Sequence, residues 1–321
     1  MTYVSVEPSV SKRRLVGDLV KGVALLGALI LVIAGTGCAQ SATTGAVAAG
    51  TVPNAGKVML VTGSTDGLGR EVALRLAATG AHVIIHGRNV ERGQAVVSEI
   101  QAHGVGSARF YPADLASLEQ VRELGNTIIR DYDRLDVLVN NAGIWLLGPE
   151  GRQLSADGHE LHFAVNYLSG FLLTRMLLPM LIESAPSRIV NVASTAQTPI
   201  DFADIMMENG YSGSRGYGQS KLAQILFTMD LAEELESTGV TVNAVHPATL
   251  MNTNLVIDAG AQPRSTVDEG ADAVMNLITS PSVGTGQYFN QLRAIRAHSQ
   301  AYDEGARDQL RGLSMRLTGL E

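Results

Sequence analysis

From residue 57 onwards, short runs of β-branched and other apolar residues alternate with longer stretches in which apolar positions recur at helical spacing. The short runs predict buried strands, and the amphipathic stretches between them predict helices. Strands are predicted over residues 57–62, 81–85, 107–111, 135–140, 187–193, 240–245 and 287–289. Helices are predicted over residues 67–80, 90–103, 118–132, 157–183, 217–237 and 267–279. Strands joined by helices of this length form right-handed βαβ units, so the pattern predicts an α/β domain whose parallel sheet is covered on both faces.

The first 56 residues follow a different pattern. A basic stretch over residues 12–14 precedes an apolar run over 23–33, and small residues then lead to Cys38. This order is typical of a secretory signal, and its glycine followed by cysteine resembles a bacterial lipoprotein signal, in which the cysteine is lipidated. The apolar stretch over residues 22–39 is also long enough to span a bilayer as an uncleaved anchor.

The chain is therefore divided into three parts. Residues 1–38 are expected to be a signal, lipoprotein-like or membrane-anchor segment, residues 39–56 a flexible linker rich in Ala, Thr and Gly, and residues 57–321 a single domain. The placement of charge puts the N-terminus in the cytoplasm and the domain outside, so we expect a membrane-associated or exported protein. Two alternatives would leave the domain in the cytoplasm: an anchor of inverted topology, or a start site assigned too far upstream.

The composition of the chain indicates which kinds of ligand to expect. The net charge of −7 and the absence of a basic stripe argue against nucleic acid and favour small-molecule chemistry. Cys38 is the only cysteine, and no Cys/His set has the spacing of zinc ligands, so we expect no metal site. His159 and His162, three residues apart, are interpreted as positions on the surface of a helix.

A glycine-rich loop follows the first predicted strand, with glycines at positions 63, 67 and 69. Glycines at a strand-to-helix junction allow a tight turn and a close approach to a pyrophosphate, which the amides at the helix N-terminus then bind. We therefore expect a dinucleotide to contact the residues of this loop, namely Thr62, Gly63, Ser64, Asp66, Gly67, Leu68 and Gly69.

The ends of the next strands supply further candidate cofactor contacts. The second strand leads into Arg88 and Asn89, and an arginine at this place suits the 2′-phosphate of NADP(H), so NADP(H) is the preferred cofactor and NAD(H) the alternative. Asp114 and Leu115 end the third strand, where an adenine ring would lie, although Asp114 could equally cap the helix that follows. Small residues end the fourth strand and would let a cofactor lie against the sheet: Asn141, Ala142 and Gly143.

Lys221 is the only lysine after Lys57, and it lies four residues after Tyr217. Residues four apart project from one face of a helix. A lone lysine in an arginine-rich domain points to a role for a compact ammonium that the planar guanidinium of arginine cannot fill.

Taken in this order and spacing, Thr-Gly-x-x-x-Gly-x-Gly, Asn-Ala-Gly and Tyr-x-x-x-Lys resemble the short-chain dehydrogenase/reductase family, from Lys57 to the C-terminus, about four fifths of the chain. The stretches over residues 165–174, 188–194 and 217–223 look like the branch that contains retinol dehydrogenases and light-dependent protochlorophyllide reductase. The resemblance implies a single-domain, Rossmann-type, doubly wound sheet of about seven strands. It also implies oxidoreduction of a CH–OH group with NAD(P).

Carried over residue by residue, the resemblance implies Asn166, Ser194, Tyr217 and Lys221 as the catalytic set. Tyr217 would act as general acid or base while a hydride passes between nicotinamide and a carbonyl carbon, and Ser194 would bind the carbonyl oxygen. Lys221 would bind the nicotinamide ribose and, together with an oxidised nicotinamide, lower the pKa of Tyr217. Asn166 would hold a water that passes protons to Lys221.

Two positions depart from the family pattern. Ala193 stands where many members have a serine, and Ala248 replaces a glycine within the segment 246–249 that follows the sixth strand. We expect cofactor binding through Pro247 and Thr249 to survive the second change.

The segments that would wall a substrate pocket are mostly apolar, which predicts an apolar carbonyl compound or alcohol. Candidate substrate contacts are Trp145, Ser194, Phe202, Tyr217 and Met251. The alternative function is a catalytically silent NADP-binding sensor or scaffold, which would predict a damaged Tyr/Lys/Ser set. No Gly-x-Ser-x-Gly elbow of a serine hydrolase is present in the sequence. A homodimer is a further expectation.

Overall fold

The structure, a computed structural model, describes residues 52–148 and 151–321. The predicted signal or anchor segment and residues 39–51 of the predicted linker lie outside the described residues. The remaining linker residues, 52–56, form a turn in which Asn54 bonds to Thr79. The Asn54 backbone N–H donates to the Thr79 carbonyl at 3.0 Å, and Nδ2 donates to Oγ1 at 2.8 Å.

Within the described residues, strands and helices alternate as the hydrophobic pattern predicts. The strands are β1 (Val58–Val61), β2 (His82–Gly87), β3 (Ser107–Pro112), β4 (Val137–Asn140), β5 (Ser187–Val192), β6 (Val240–His246), β7 (Gln287–Asn290) and β8 (Arg293–Ile295). The helices are α1 (Gly67–Ala78), α2 (Val90–His103), α3 (Leu118–Asp131), α4 (Ser169–Glu183), α5 (Gly213–Glu234), α6 (Asn254–Asp258), α7 (Val267–Thr279) and α8 (Glu304–Thr318). A π-helical segment, Phe163–Leu168, leads into α4, and a 3-10 turn, Ser299–Tyr302, precedes α8.

All eight strands form one sheet in the order β3-β2-β1-β4-β5-β6-β7-β8. The pairs from β1 to β7 are parallel, and β8 pairs antiparallel with β7 at the edge. The winding direction reverses between β1 and β4, and at such a point the carboxyl ends of the strands leave a crevice for a ligand. The predicted doubly wound, Rossmann-type fold is confirmed, with one antiparallel strand added to the seven that were predicted.

The central strands are buried on both faces, because successive side chains of a strand point to opposite sides and helices cover each side. In β1, Met59 and Val61 pack with α1, α2 and α7, whereas Leu60 packs with α3, α4 and α5. The continuous apolar runs of the sequence are the consequence, since each strand needs apolar residues in both directions.

The helix that leads to β5 begins later than predicted. It was expected from residue 157, but the helical residues start at Leu161, directly before the π-helical segment. Asp157 instead accepts the backbone N–H of Leu118 at 2.9 Å and so caps α3, while Leu154 and Glu160 form a short antiparallel bridge. Two polar contacts thus take the place of the first predicted turns.

The stretch Phe163–Glu183 is also the one helix among the described residues that is long and apolar enough to cross a membrane. Of its most apolar window, 67% is buried inside the protein, as is typical of a core helix. Helix α5 beside it is buried over most of its length, partly because α8 packs across it.

Candidate active site

A cavity of about 740 Å³ opens at the carboxyl ends of the strands, where β1 and β4 meet. Its volume lies within the range of small-molecule sites. The predicted site residues that line it are Gly63, Asp66, Gly67, Leu68, Gly69, Arg88, Asp114, Leu115, Asn141, Ala142, Gly143, Trp145, Ser194, Tyr217, Lys221, Pro247, Thr249 and Met251. The predicted residues absent from its wall are Thr62, Ser64, Asn89, Asn166 and Phe202.

The glycine-rich loop between β1 and α1 forms a cradle that larger residues would fill. Gly63 has a φ of 64°, in the left-handed region that favours glycine. A Cβ on Gly63 would lie 2.9 Å from the Cα of Ala142, and a Cβ on Gly69 would lie 2.3 Å from the Gly63 carbonyl oxygen. The backbone of the loop therefore approaches the end of β4 closely, and the N-terminus of α1 borders the cavity as an anion site requires.

Thr62 and Ser64 hold this cradle from outside the cavity. The Thr62 hydroxyl accepts the backbone N–H groups of Asn141, at 3.0 Å, and Ala142, at 3.1 Å, which ties β1 to the end of β4. The Ser64 hydroxyl donates to the Val61 carbonyl at 2.7 Å and accepts the N–H of His86 at 3.0 Å. Both side chains therefore shape the loop.

Asp66 caps α1 and joins three elements. Its carboxylate accepts the N–H of Gly67 at 2.8 Å, and it also contacts Arg92 of α2, at 3.3 Å, and Nδ2 of Asn254 at the start of α6. The segment with Thr253 and Asn254 thus lies over the glycine-rich loop, where a Cβ on Gly67 would be 3.1 Å from a Thr253 methyl group.

An exposed arginine, Arg88, follows the end of β2. Arg88 is 70% exposed in its side chain, and its nearest acidic partner is Asp114, at 4.0 Å. Asn89 accepts the N–H of Arg92 at 2.9 Å and so caps α2. His86 beneath them accepts the N–H of Gly63 through Nδ1 at 3.1 Å, and burial lowers the pKa of His86 to about 4, so its ring is neutral at physiological pH.

Tyr217, Ser194 and Trp145 meet on the substrate side of the cavity. The rings of Trp145 and Tyr217 lie 5.5 Å apart between centroids, tilted by 37°. Burial raises the pKa of Tyr217, and a hydrogen bond with the Ser194 hydroxyl opposes this. The expected lowering of the pKa of Tyr217 is therefore not produced by the protein's own side chains, because desolvation of the phenolate outweighs the nearby polar groups.

Lys221 lies one helical turn beyond Tyr217 and is 4% exposed. Its Nζ donates to the Val192 carbonyl and to Oε1 of Gln224, both at 2.9 Å, and lies 5.7 Å from the centroid of the Tyr217 ring. Burial lowers the pKa of Lys221 to about 7. Its amine can therefore both give and take a proton near neutral pH.

Asn166 lies in the π-helical segment, and its side chain forms hydrogen bonds to other residues of the protein. Oδ1 accepts the N–H of Ile144 at 2.7 Å, while Nδ2 donates to the Ile144 carbonyl at 3.1 Å and to the Ser220 hydroxyl at 2.9 Å. The three bonds fix the segment after β4 to α5 next to Lys221. A π-turn at this place is typical of functional sites.

The substrate side matches the prediction in part. Trp145 and Met251 border the cavity, and their apolar neighbours there are Ile144, Leu146, Leu161, Val165, Leu250, Leu255 and Val256. Phe202, expected among them, packs against the hydrophobic core instead. The reason is that its segment is drawn towards the C-terminal part, where Gln300 accepts the N–H of Ile200 at 2.7 Å and donates to its carbonyl at 3.0 Å.

Three contributors were not predicted. Gln224 holds Lys221, and its position three residues further along the same helix could have indicated this. Glu160 and His162 are both fully buried behind the cavity, so the interpretation of His162 as helix surface is wrong. His159 is partly exposed but precedes the first helical residue, so it is not on a helix either. Their pairing carries no sequence signal. Within the described residues, no group of three His, Cys, Asp or Glu side chains could hold a metal ion.

Known proteins share this architecture. Residues 57–264 match the sequence profile of the short chain dehydrogenase family. Human retinol dehydrogenase 13 is 35% identical over 295 residues, which are 84% of this chain and 86% of the relative. Human retinol dehydrogenase 14 is 37% identical over 296 residues, 83% of this chain and 87% of the relative.

Solved structures give the same picture. The crystal structure of an uncharacterised protein from Mycobacterium paratuberculosis superposes with a TM-score of 0.70 at 30% identity, covering 83% of this chain and 95% of the other. A short chain dehydrogenase from Escherichia coli CFT073, complexed with NADPH, superposes with a TM-score of 0.62 at 27% identity, covering 76% and 99%. The chain therefore belongs to the short-chain dehydrogenase/reductase family, on the branch of the retinol dehydrogenases, and is an oxidoreductase of the alcohol/carbonyl class.

Proposed function

We propose that the protein is an NADP(H)-dependent oxidoreductase that interconverts an apolar small-molecule alcohol and its carbonyl compound, with Tyr217 as general acid and base. The observation that carries this proposal is the convergence of Tyr217, Ser194 and Lys221 on one cavity together with the glycine cradle. A silent sensor on the same fold would not need this convergence, because a nucleotide can bind without a proton donor on the substrate side.

The cavity fits a dinucleotide. The cradle between Gly63 and Gly69 and the start of α1 would hold the pyrophosphate, and Asp114 and Leu115 would border the adenine. The end of β4, residues 141–143, and Pro247 and Thr249 would border the nicotinamide half, with Lys221 on its ribose. Bound NADP(H) supplies or accepts the hydride.

Arg88 supports a preference for NADP(H) over NAD(H). It is the exposed cation at the end of β2, and no acidic residue occurs between positions 86 and 90 to serve a ribose 2′-hydroxyl. The contact with Asp114 at 4.0 Å is too long for a hydrogen bond, so the guanidinium remains able to pair with a phosphate.

Proton transfer is assigned to the chain's own side chains. Because burial raises the pKa of Tyr217, its phenol keeps the proton at neutral pH and can donate it to a carbonyl oxygen that the Ser194 hydroxyl holds. Lys221, whose pKa burial lowers to about 7 and whose Nζ lies 5.7 Å from the centre of the Tyr217 ring, is the proposed source of the proton that restores the phenol. The hydrogen bonds of Asn166 keep the segment after β4 in place beside this pair.

The apolar wall around Trp145, Leu161 and Met251 supports an apolar substrate. The name of the relatives, retinol dehydrogenase, denotes an alcohol substrate, and a long apolar aldehyde is therefore the first compound to test. The N-terminal pattern of residues 1–38 supports membrane association or export, and a homodimer remains a prediction.

The test is NADPH consumption with a panel of carbonyl compounds that runs from long apolar aldehydes to small polar ketones. We expect turnover to rise with the apolar area of the substrate and to be faster with NADPH than with NADH. Turnover of the Tyr217→Phe variant equal to that of the wild type on every compound would contradict the proposal.

A further inference from the structure

Two ionisable side chains lie buried behind the wall of the active site. Glu160 and His162 are both 0% exposed in their side chains. Nδ1 of His162 lies 2.9 Å from Oε1 of Glu160, and Oε2 of Glu160 accepts the N–H of Phe163 at 2.8 Å. Neither residue lines the cavity, and the proton transfer described above uses neither.

The hydrogen bonds define the protonation of the pair. The backbone N–H of Leu146 donates to Nε2 of His162 at 3.0 Å, so Nε2 must present a lone pair. The proton of the imidazole is therefore on Nδ1, where it is donated to the Glu160 carboxylate. Glu160 fixes the tautomer of His162. The tautomer in turn leaves Nε2 as the atom that accepts a backbone N–H, that of Leu146.

The pair is connected to Tyr217 in two ways, through the segment with Leu146 and Trp145 and through the ring of His162. Leu146 follows Trp145, whose ring lies 5.5 Å from that of Tyr217, and both Trp145 and Leu146 line the cavity. The ring of His162 itself meets Tyr217 edge-on at 6.3 Å. Both Trp145 and His162 thus contact the tyrosine ring, and of the two only Trp145 also lines the cavity.

Gly216, directly before Tyr217, lies against the same pair. A Cβ on Gly216 would be 3.0 Å from Nδ1 of His162 and 3.2 Å from Oε1 of Glu160. The first turns of α5 therefore rest on the two polar side chains, with only the absence of a side chain at Gly216 making room for them.

A hydrophobic pair of the same volume would fill this space without burying a carboxylate. It could not, however, accept the N–H of Leu146, which would be left unpaired behind the wall. The polar pair is thus explained by the bond to Leu146 and by the position that this bond gives to Trp145.

We propose that Glu160 and His162 form a positioning pair that sets the wall of the substrate subsite through Leu146 and Trp145, and so determines substrate affinity rather than proton transfer. This inference rests on the proposed function, since the subsite is the one that Tyr217 serves. It predicts that loss of the bond to Leu146 changes the KM for the carbonyl substrate and leaves kcat and the KM for NADPH nearly unchanged.

The chain offers a direct readout, because Trp145 is its only tryptophan. The experiment compares the wild type with His162→Leu, which removes the acceptor for Leu146, and with His162→Gln, whose amide oxygen keeps one. His159→Leu is the matched control, since it makes the same change three residues earlier at a side chain outside the cavity wall. For each protein, Trp145 emission, its quenching by acrylamide and the kinetic constants with NADPH and a long apolar aldehyde are measured.

For His162→Leu we expect a red-shifted emission, about twofold stronger quenching and a KM for the aldehyde raised roughly tenfold, with kcat changed by less than about threefold. His162→Gln should return both readouts towards the wild type, and His159→Leu should leave them unchanged. Wild-type emission and KM in His162→Leu would overturn the inference, as would a loss of kcat at unchanged KM. A rise in KM that His162→Gln does not reverse would also overturn it.

The fluorescence readout does not depend on turnover. If the wild type reduces no carbonyl compound, the proposed function fails, whereas the emission of the His162 variants still tests the positioning pair. If the His162→Leu variant is recovered unfolded, Glu160→Gln gives the second test. It keeps the volume but leaves one acceptor oxygen for two donors, Nδ1 of His162 and the N–H of Phe163, so the pair can no longer keep both bonds. It should therefore shift the Trp145 emission in the same direction.

Discussion

Burial of Lys221 makes the stability of the protein depend on pH in a predictable direction. The residue is 4% exposed, and burial lowers the pKa of Lys221 from its ordinary 10.5 to about 7. At about 1.4 kcal/mol per pH unit, this corresponds to roughly 5 kcal/mol of unfavourable free energy for the buried ammonium, as an upper bound. The variant Lys221→Met keeps a long apolar stem and removes the charge.

The sign follows from the protons bound by each state. Below pH 7, Lys221 is protonated in the folded and the unfolded chain. The folded state is then destabilised by the full free energy of burying the ammonium. Between pH 7 and 10.5 the unfolded chain holds a proton that the folded chain has lost, so the free energy of unfolding of the wild type rises with pH. Above pH 10.5, Lys221 is neutral in both states, so the burial of its ammonium no longer affects the free energy of unfolding.

The methionine variant also loses two hydrogen bonds, to Val192 and to Gln224, at a cost of about 1–2 kcal/mol each. At pH 6 the variant should therefore be about 1–3 kcal/mol more stable than the wild type. This advantage should shrink by about 1.4 kcal/mol per pH unit above pH 7, because the lost hydrogen bonds contribute equally at every pH.

The assay is urea unfolding of the cofactor-free protein, followed by circular dichroism, at a series of pH values from 6 to 9.5. The quantity of interest is the difference in free energy of unfolding between Lys221→Met and the wild type. A difference that stays constant over this range would refute the reasoning, since it would mean that Lys221 titrates at the same pH in both states. The variant should lose oxidoreductase activity at every pH tested.

Three further predictions concern other parts of the chain. Replacing Arg88 with alanine should lower kcat/KM for NADPH by about 10- to 100-fold and leave that for NADH unchanged, because only NADPH carries the 2′-phosphate; equal losses with both cofactors would exclude this role. In Gln224→Glu a carboxylate replaces the amide that accepts from Lys221, which should raise the pKa of Lys221. In the same urea series, the rise of the free energy of unfolding with pH should therefore begin at a higher pH in this variant than in the wild type. Mass spectrometry of the native protein should find either a diacylglycerol-modified Cys38 or an intact Met1 in the membrane fraction, and a water-soluble chain that begins near residue 57 would contradict both readings of the N-terminus.

The hydrophobic pattern was sufficient for the main architecture. Strands β1, β2, β4, β5 and β6 are buried on both faces or nearly so, and this burial is what makes a strand visible as a continuous apolar run. Strands β3 and β7 are partly exposed and were predicted from shorter apolar stretches. Strand β8 escaped prediction because its three residues are exposed at the sheet edge. Helix α8 escaped because its buried face is formed by Arg307, Leu310, Ser314 and Thr318, only one of which is apolar.

The site could be predicted where spacing along one element carries the chemistry. Tyr217 and Lys221 share a helix, and the glycines at 63, 67 and 69 share a loop, so the sequence itself records their proximity. Glu160 and His162 gain their role from Leu146 and Gly216, which come from other segments, and no local pattern records such contacts. Phe202 is the opposite case: it lies near the site in sequence but packs against the hydrophobic core, and Gln300 bonds to its segment at Ile200.

The raised pKa of Tyr217 also lay beyond the sequence. A tyrosine four residues before a lysine suggests a stabilised phenolate, but both groups are desolvated, and burial lowers the pKa of Lys221 while it raises that of Tyr217. Burial depends on the packing of α5 against several elements at once. It raises the pKa of Tyr217, whereas the spacing of the tyrosine and the lysine predicted a lowered pKa.

The central claim is that Tyr217 gives the proton to the substrate in a cavity that binds NADP(H). Its most direct test is the single-turnover rate of NADPH oxidation, with a saturating apolar aldehyde, for the wild type and Tyr217→Phe, together with the Kd for NADPH of each protein. We predict a rate lower by about 10²- to 10⁴-fold in the variant at a Kd within about threefold of the wild type, because only the proton donor is lost. Equal single-turnover rates in the two proteins would contradict the account.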